Sequence, residues 1–468
     1  MTDDPVGGGN NMGDEPPAHG LGAHDIAIEQ AELSRNGGPQ RAILAVALIG
    51  LVIAVAIGVT TLSSNSAAGG ATPEEAVSGA LDALAEEDVL GAAEMLLPTE
   101  RRTLTDPSFQ MVTELQRLGV LDASFDPAAV AGIDLEFADV ELDVEQVTED
   151  LAIVRLLGGQ TSAAFEPTEF PFGPLVLDRI SATEIGDATR DVSDIEPTDD
   201  GIAVVRRDGR WYISAWYTVA ETARRDAGLP LPNPADALVA RGEATAEAAV
   251  EEMIRSLLAV DLQRVIELLP PDEAEALHAY SPLFLESLAE AEKFARDGLE
   301  SNDVRIELTR LDLSSTGIDS GRLVAIDAIG VEVESPVVNG RFDVGDGQFH
   351  ATIVSPDGFG RVELSYVDGC FRTVFTEPNQ PEQVEEFCED DAQDAIDEFV
   401  GFGELPDFDI FTSTPRLGIL TVEFDGLWYV SPLGTMVSAQ VETVAAIDPV
   451  KLEELIDWMI EVGEGTEF

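Results

Sequence analysis

Hydrophobic and polar positions follow three different patterns along this chain. The first is unbroken: Ala42 to Leu62, "AILAVALIGLVIAVAIGVTTL", is 21 residues without a charge. As a helix it would reach about 31 Å, the thickness of a bilayer core. The pattern therefore predicts a transmembrane helix over 42–62. The second is helical. Ala76, Val77, Ala80, Leu81 and Leu84 recur at three- and four-residue spacing after Thr72, which predicts an amphipathic helix. The third is the dense β-rich run "GIAVVRRDGRWYIS", Gly201 to Ser214, with a close copy "GILTVEFDGLWYVS" at Gly418 to Ser431. An Asp-Gly pair between such runs predicts a hairpin, with Trp211 and Trp428 packed in the sheet core.

The helical pattern is also duplicated. "TPEEAVSGALDALAEEDVLGAAEMLLPTERRTL" from Thr72 realigns without a gap on "TAEAAVEEMIRSLLAVDLQRVIELLPPDEAEAL" from Thr245, a shift of 173 residues. Thr72/Thr245, Val77/Val250, Leu84/Leu257, Asp88/Asp261, Glu94/Glu267 and Pro98/Pro271 coincide. Thr72 and Asp88 fit helix N-caps, Pro73 fits a first helical position, and Glu75 completes a capping box. Pro98 and Pro271 are expected to end the second helix of each copy. From Thr to Trp, the second copy is 44 residues longer than the first.

Those extra residues are expected near 370–412, where Val384, Phe387, Ala392, Ala395, Phe399 and Val400 read as a helical stripe. The chain's two cysteines, Cys370 and Cys388, open this insertion. An isolated pair outside the cytoplasm reads as a disulfide, here tying the inserted helix to the strand before it. Glu385, Glu386, Glu389, Asp390, Asp391 and Asp394 read as a solvated helix face, with weak divalent-cation binding as the alternative. The final stretch, 448–468, predicts an amphipathic helix with Leu452, Leu455, Ile456 and Met459 on its apolar side, docked on the second domain or on another protein.

Charge adds direction and environment. Arg35 and Arg41 precede the apolar run, and no Lys or Arg follows it until Arg101. That asymmetry predicts a cytoplasmic N-terminus and extracytoplasmic domains. The tail, 1–41, is rich in Gly, Pro, Asn and Asp and is expected to be disordered. Over 468 residues, 90 acidic side chains face 26 basic ones, a net charge of −64. Nucleic acid is thereby excluded as a partner. The acidity is spread along both copies rather than gathered in one block, which favours a surface adapted to high salt over a dedicated binding tail.

The capped helix, the "EED" or "AVD" opening a second helix, and strands ending in "DGxWYxS" resemble the nuclear transport factor 2-like superfamily, which includes ketosteroid isomerase-like and SnoaL-like proteins. The resemblance covers about 72–224 and 245–447. It implies an α+β fold in which helices pack on a curved antiparallel sheet around a cone-shaped pocket. The expected architecture is one N-terminal transmembrane helix (42–62), a linker (63–71), a first domain (72–224), a linker (225–244), a second domain (245–447) and the terminal helix.

Catalytic members of that superfamily need a polar set in the pocket. The residues here that could supply one are His278 and Tyr280 in "LHAYSP" and His350 in "GQFHATIV", none of which falls in a matched motif. No Walker loop, HExxH or GxSxG occurs, so neither cofactor nor metal is expected. The expected function is a single-pass membrane protein displaying a non-catalytic binding or scaffolding module in the cell envelope, with an envelope protein or a small apolar molecule as partner. An isomerase- or dehydratase-like enzyme in the second domain, and a ligand sensor coupled to the tail, are the alternatives.

The salt reading is directly testable. Screening shortens from about 10 Å at 0.1 M to about 3 Å at 1 M salt, so self-repulsion should fade over that range. The melting temperature of the purified protein is expected to rise with sodium chloride across it. A flat or falling melting temperature would overturn salt adaptation.

Overall fold

The computed structural model describes residues 69–179, 189–195, 201–318, 320–345, 347–355, 360–388, 410 and 418–465. All of them belong to one unit, Gly38–Phe468. The first half opens with α1 (Pro73–Ala85), α2 (Val89–Glu94) and α3 (Pro98–Arg117). The Glu75 N–H donates to Thr72 Oγ1 at 3.2 Å, while the Glu75 carboxylate accepts from the Ala71 N–H at 2.9 Å. This is a capping box displaced by one residue. Asp88 caps α2 by accepting from the Gly91 N–H at 2.8 Å. Pro98 does not end α2, which stops at Glu94; it starts α3. A first helical position needs no N–H donor, so proline costs nothing there.

Strands β1 (Ile133–Gln146) and β2 (Leu151–Phe165) form a long hairpin, followed by α4 (Pro174–Leu177), β3 (Thr189–Asp194), β4 (Ile202–Arg207), β5 (Arg210–Ile213) and α5 (Ala215–Asp226). The sheet runs β1-β2-β4-β5, all antiparallel, with β3 on the far end of β2. A bulge near Asp139 (φ 50°) bends the hairpin. Asp208 (φ 51°) and Gly209 (φ 79°) make the left-handed turn between β4 and β5 that an Asp-Gly pair favours. Both faces of this sheet are buried. Ala152, Val154, Val204 and Trp211 pack with Val77 of α1. Leu151, Ile153, Ala203 and Val205 pack with Tyr217 of α5. Burial on both sides explains why β2 and β4 read as apolar runs rather than as alternation.

The second half repeats the opening with α6 (Ala246–Leu258) and α7 (Leu262–Glu267), capped by Thr245 at 3.1 Å and Asp261 at 3.0 Å. Then come α8 (Glu275–Tyr280), α9 (Leu285–Ser301) and the long strands β6 (Arg305–Ile318) and β7 (Gly321–Glu334). A meander follows: β8 (Asn339–Gly345), β9 (Gln348–Val354), β10 (Arg361–Val367), β11 (Cys370–Thr376) and β12 (Gln383–Cys388). β13 (Ile419–Phe424), β14 (Leu427–Val430), α10 (Pro432–Ala445) and α11 (Pro449–Gly465) close the chain. The nine-stranded sheet runs β12-β11-β10-β9-β8-β7-β13-β14, with β6 also on β7.

The sequence-predicted disulfide is present, with an S–S distance of 2.04 Å. It joins two strands, not a strand and a helix: Cys370 and Cys388 face each other on β11 and β12. Val384 and Phe387 lie on β12, and Ala392, Ala395, Phe399 and Val400 lie outside the described residues. The three-residue spacing suits one helix face but puts the two on opposite faces of a strand; both are exposed, and pairing with β11 decides the geometry.

The expected fold class also needs correction. An α+β fold with antiparallel sheets is found, but among the described residues no helix is long and apolar enough to cross a membrane. The 42–62 run lies outside those residues. The 20-residue α3 has the length, yet Glu100, Arg101, Arg102, Glu114 and Arg117 interrupt it; an amphipathic helix of this kind belongs against a protein core.

The terminal helix docks where the sequence did not point, on the first half. Ile456, with Leu452 and Ile460, joins a core built from Met111, Leu115, Leu121, Phe125, Phe170 and Phe172. Val441 of α10 joins it too. Arg117 donates to the carbonyls of Val444, Ala445 and Ile447 at 3.0–3.1 Å, and Arg179 holds Glu453 at 3.1 Å and Asp457 at 2.7 Å. Ile456→Ala is expected to cost about 2–4 kcal/mol. Amide exchange should rise in α3 and around Phe170–Val176, read by mass spectrometry. Exchange raised only within 448–465 would show that α11 merely rests on that core.

Candidate functional site

The site begins with two carboxylates at matching repeat positions. Glu100, on α3, is 2% exposed. It accepts from the Ser214 hydroxyl, from the Ala215 N–H at 2.7 Å and from the Trp216 N–H at 3.3 Å. Ser214 in turn caps α5, accepting from the Tyr217 N–H at 3.0 Å. In the second half Glu273 accepts from the Ser431 hydroxyl at 2.5 Å and the Leu433 N–H at 2.9 Å, and Ser431 caps α10 through the Gly434 N–H at 3.0 Å. Each half therefore ties a carboxylate to the N-terminus of the helix that follows its Asp-Gly hairpin, where the helix dipole favours negative charge. Burial nevertheless pushes both carboxyls above their ordinary range, against the lowering effect of those hydrogen bonds. These two residues are the ones sequence reasoning missed. Their signal was in the alignment, since Glu100 and Glu273 are identical at the 173-residue shift.

The two halves meet where α5 and α8 cross. The Tyr280 hydroxyl donates to Glu221, and Glu221 also accepts from Nε and Nη2 of Arg224, each at 2.9 Å, and from Arg225 at 3.2 Å. Burial alone would raise the Glu221 carboxyl, but these donors and the Arg224 charge outweigh it and hold it low. The Tyr217 hydroxyl donates to Glu275 at 3.3 Å, and Arg207 pairs with the same carboxylate. The rings of Tyr217 and Tyr280 lie edge to face, 5.9 Å apart. Burial pushes both phenols upward.

Two cavities share Glu273 in their walls. One is an apolar cleft of about 460 Å³, lined by Trp216, Ala220 and Ala223 on the α5 side and by Leu277, Tyr280 and Phe284 on the α8 side. Glu273 and Arg224 stand at its margin, each already engaged as described. The other, about 680 Å³, lies on the opposite side of Glu273, between α3, β13 and α10.

The sequence-predicted site residues fall in different places. Tyr280 lines the apolar cleft. His278 is 7% exposed and lines neither cavity; its Nε2 lies 2.9 Å from the Ile266 carbonyl. A carbonyl can only accept, so that nitrogen carries the proton, and burial lowers the imidazole's affinity for a second one. His350 is exposed on β9, opposite Asp343 and Ser365. The three therefore do not converge. Trp211 packs in the first core and Trp428, half-buried, in the second. Glu385 and Glu386 stand on β12 rather than on a helix, and Glu389, Asp390, Asp391 and Asp394 lie outside the described residues. Among the described residues no group of three or more His, Cys, Asp or Glu side chains is arranged to hold a metal ion. No protein-family model, curated protein or solved structure matches the chain.

These two carboxyls make a pH prediction. Glu100 and Glu273 bind a proton more tightly folded than unfolded, so stability falls as pH rises above their ordinary value of 4.5 and is regained on acidification. Glu145 opposes them: bonded to Arg225 and Arg155 it is lowered to about 2, and its contribution fades as pH drops from 4.5 toward that value. Urea unfolding from pH about 7 to about 5 should show rising stability in the wild type and a flatter profile in Glu100→Gln/Glu273→Gln. Equal slopes would remove these groups from the account.

Proposed function

We propose that this chain is a non-catalytic binding protein of the cell envelope, working outside the reducing cytoplasm, and that an apolar small molecule occupies the cleft between α5 and α8. The observation that carries this reading is the cleft itself: about 460 Å³ of mostly apolar wall, within the size range of small-molecule sites. The polar groups at its margin are spent on each other, Tyr280 and Arg224 on Glu221 and Glu273 on Ser431. Such an arrangement offers a shaped hydrophobic surface rather than a free acid or base at a reacting atom. The Cys370–Cys388 bond supports an oxidising compartment. The proposed family remains the nuclear transport factor 2-like superfamily in two copies, supported by the capped helix pair and the Asp-Gly-X-Trp-Tyr hairpin of each half.

Titration with the fluorescent probe N-phenyl-1-naphthylamine tests the cleft. Saturable one-site binding is expected, weakened at least about tenfold by Ala220→Trp, which fills the cleft and so removes the apolar contact that supplies the affinity. Absence of saturable binding, or binding indifferent to Ala220→Trp in a variant that unfolds as cooperatively as the wild type, would defeat the proposal.

A further inference from the structure

We propose that the second cavity is a separate binding site for an organic cation with an apolar body, and that it exists because the second half has lost the aromatic plug of the first. The repeat register through the hairpin and the following helix makes the comparison residue by residue. Ser214 matches Ser431, Thr218 matches Thr435, and the hydrogen bonds agree: each threonine donates to its serine carbonyl at 2.6 Å, and each accepts from a strand N–H, of Ala203 at 2.9 Å and Leu420 at 2.8 Å. Between these matched pairs Tyr217 corresponds to Gly434, and further along Glu221 corresponds to Ser438.

In the first half Tyr217 is 9% exposed and fills the space between the sheet and α8. In the second half that volume is open, about 680 Å³. The neighbouring strand position compensates in part, with Leu420 where the first half has Ala203. A Cβ built on Gly434 would lie only 2.4 Å from Leu420 Cδ2. The pairs Ala203/Tyr217 and Leu420/Gly434 are thus alternative solutions, and the second leaves a cavity.

The lining defines the ligand's chemistry. Leu323, Leu420 and Val441 give an apolar floor, each less than 9% exposed. Asp272, Glu423 and Glu442 stand around it, and Arg102, the one basic side chain among the described lining residues, is taken by Asp272 at 2.5 Å. An organic cation gains from this potential and an anion is repelled. An apolar body on that cation covers the floor. A bare metal ion does not fit, since no ligating cluster is present among the described residues.

Calorimetric titration of the full chain with octyltrimethylammonium tests the site, with octanoate as the anion of equal chain length. One-site binding of the cation and none of octanoate is expected. Leu420→Ala/Gly434→Tyr transplants the plug of the first half and should weaken the cation at least about tenfold, because the volume is filled. Glu423→Gln/Glu442→Gln leaves the floor intact and should weaken it by about tenfold through the lost charges, while N-phenyl-1-naphthylamine binding stays unchanged. Equal binding of octanoate, or a cation affinity untouched by the charge-removing pair, would overturn the proposal. So would loss of cation binding in Ala220→Trp, which would put the cation in the apolar cleft instead.

Discussion

The first half of this chain builds a bent antiparallel sheet that is apolar on both sides, yet contributes too little helix of its own to cover it, and the joining of the two halves follows from that shortage. The first sheet buries one face under α1 and the other under α5 together with Ala276 and Tyr280 of the second half. The core behind α3 is completed by Val441 and Ile456 from the other end of the chain. A sheet or helix with an apolar side must bury it against some other layer. Here the available layer belongs to the partner repeat, so the two copies are bound by hydrophobic exchange rather than by a linker alone.

Polar contacts then fix the geometry of that exchange. Glu100 and Glu273 anchor α5 and α10 by their N-termini, and Arg117 and Arg179 fasten α10 and α11 to the first half. In a chain of net charge −64, arginines matter disproportionately. A planar guanidinium can hold two acceptors at once, which suits sites where one cation must serve several oxygens. Glu221, held by Arg224, Arg225 and Tyr280, is the densest example, and it lies at the seam between the halves.

Both cavities border that seam, and both record unequal divergence of the repeats. Where α5 crosses α8, Tyr217 of the first half packs on Tyr280 of the second, with an apolar cleft beside them. Where α10 takes the equivalent place, glycine and leucine stand where the first half has tyrosine and alanine, and the space opens on an acidic rim. Duplication supplied two similar frames, and changes at a few packing positions gave them different interiors, since a core responds to the volume of single side chains.

The local grammar of the fold was legible in the sequence. Thr72, Asp88, Thr245 and Asp261 read as caps because a short oxygen-bearing side chain before a helix meets unpaired N–H groups. Asp208-Gly209 and Asp425-Gly426 read as turns because few other pairs accept two left-handed residues in succession. Cys370 and Cys388 read as a bond because nothing else in the chain could pair with either. What the sequence did not yield was set by neighbours distant along the chain. Val384 and Phe387 took strand geometry because β11 lies beside them. Glu100, buried, and Glu273, half-buried, became anchors because Ser214 and Ser431 arrive more than a hundred residues later. The amphipathic stripe of α11 announced that a partner was needed but not which one, since hydrophobic burial is non-directional; the choice of the first half's core fell to the shape of the assembled surfaces.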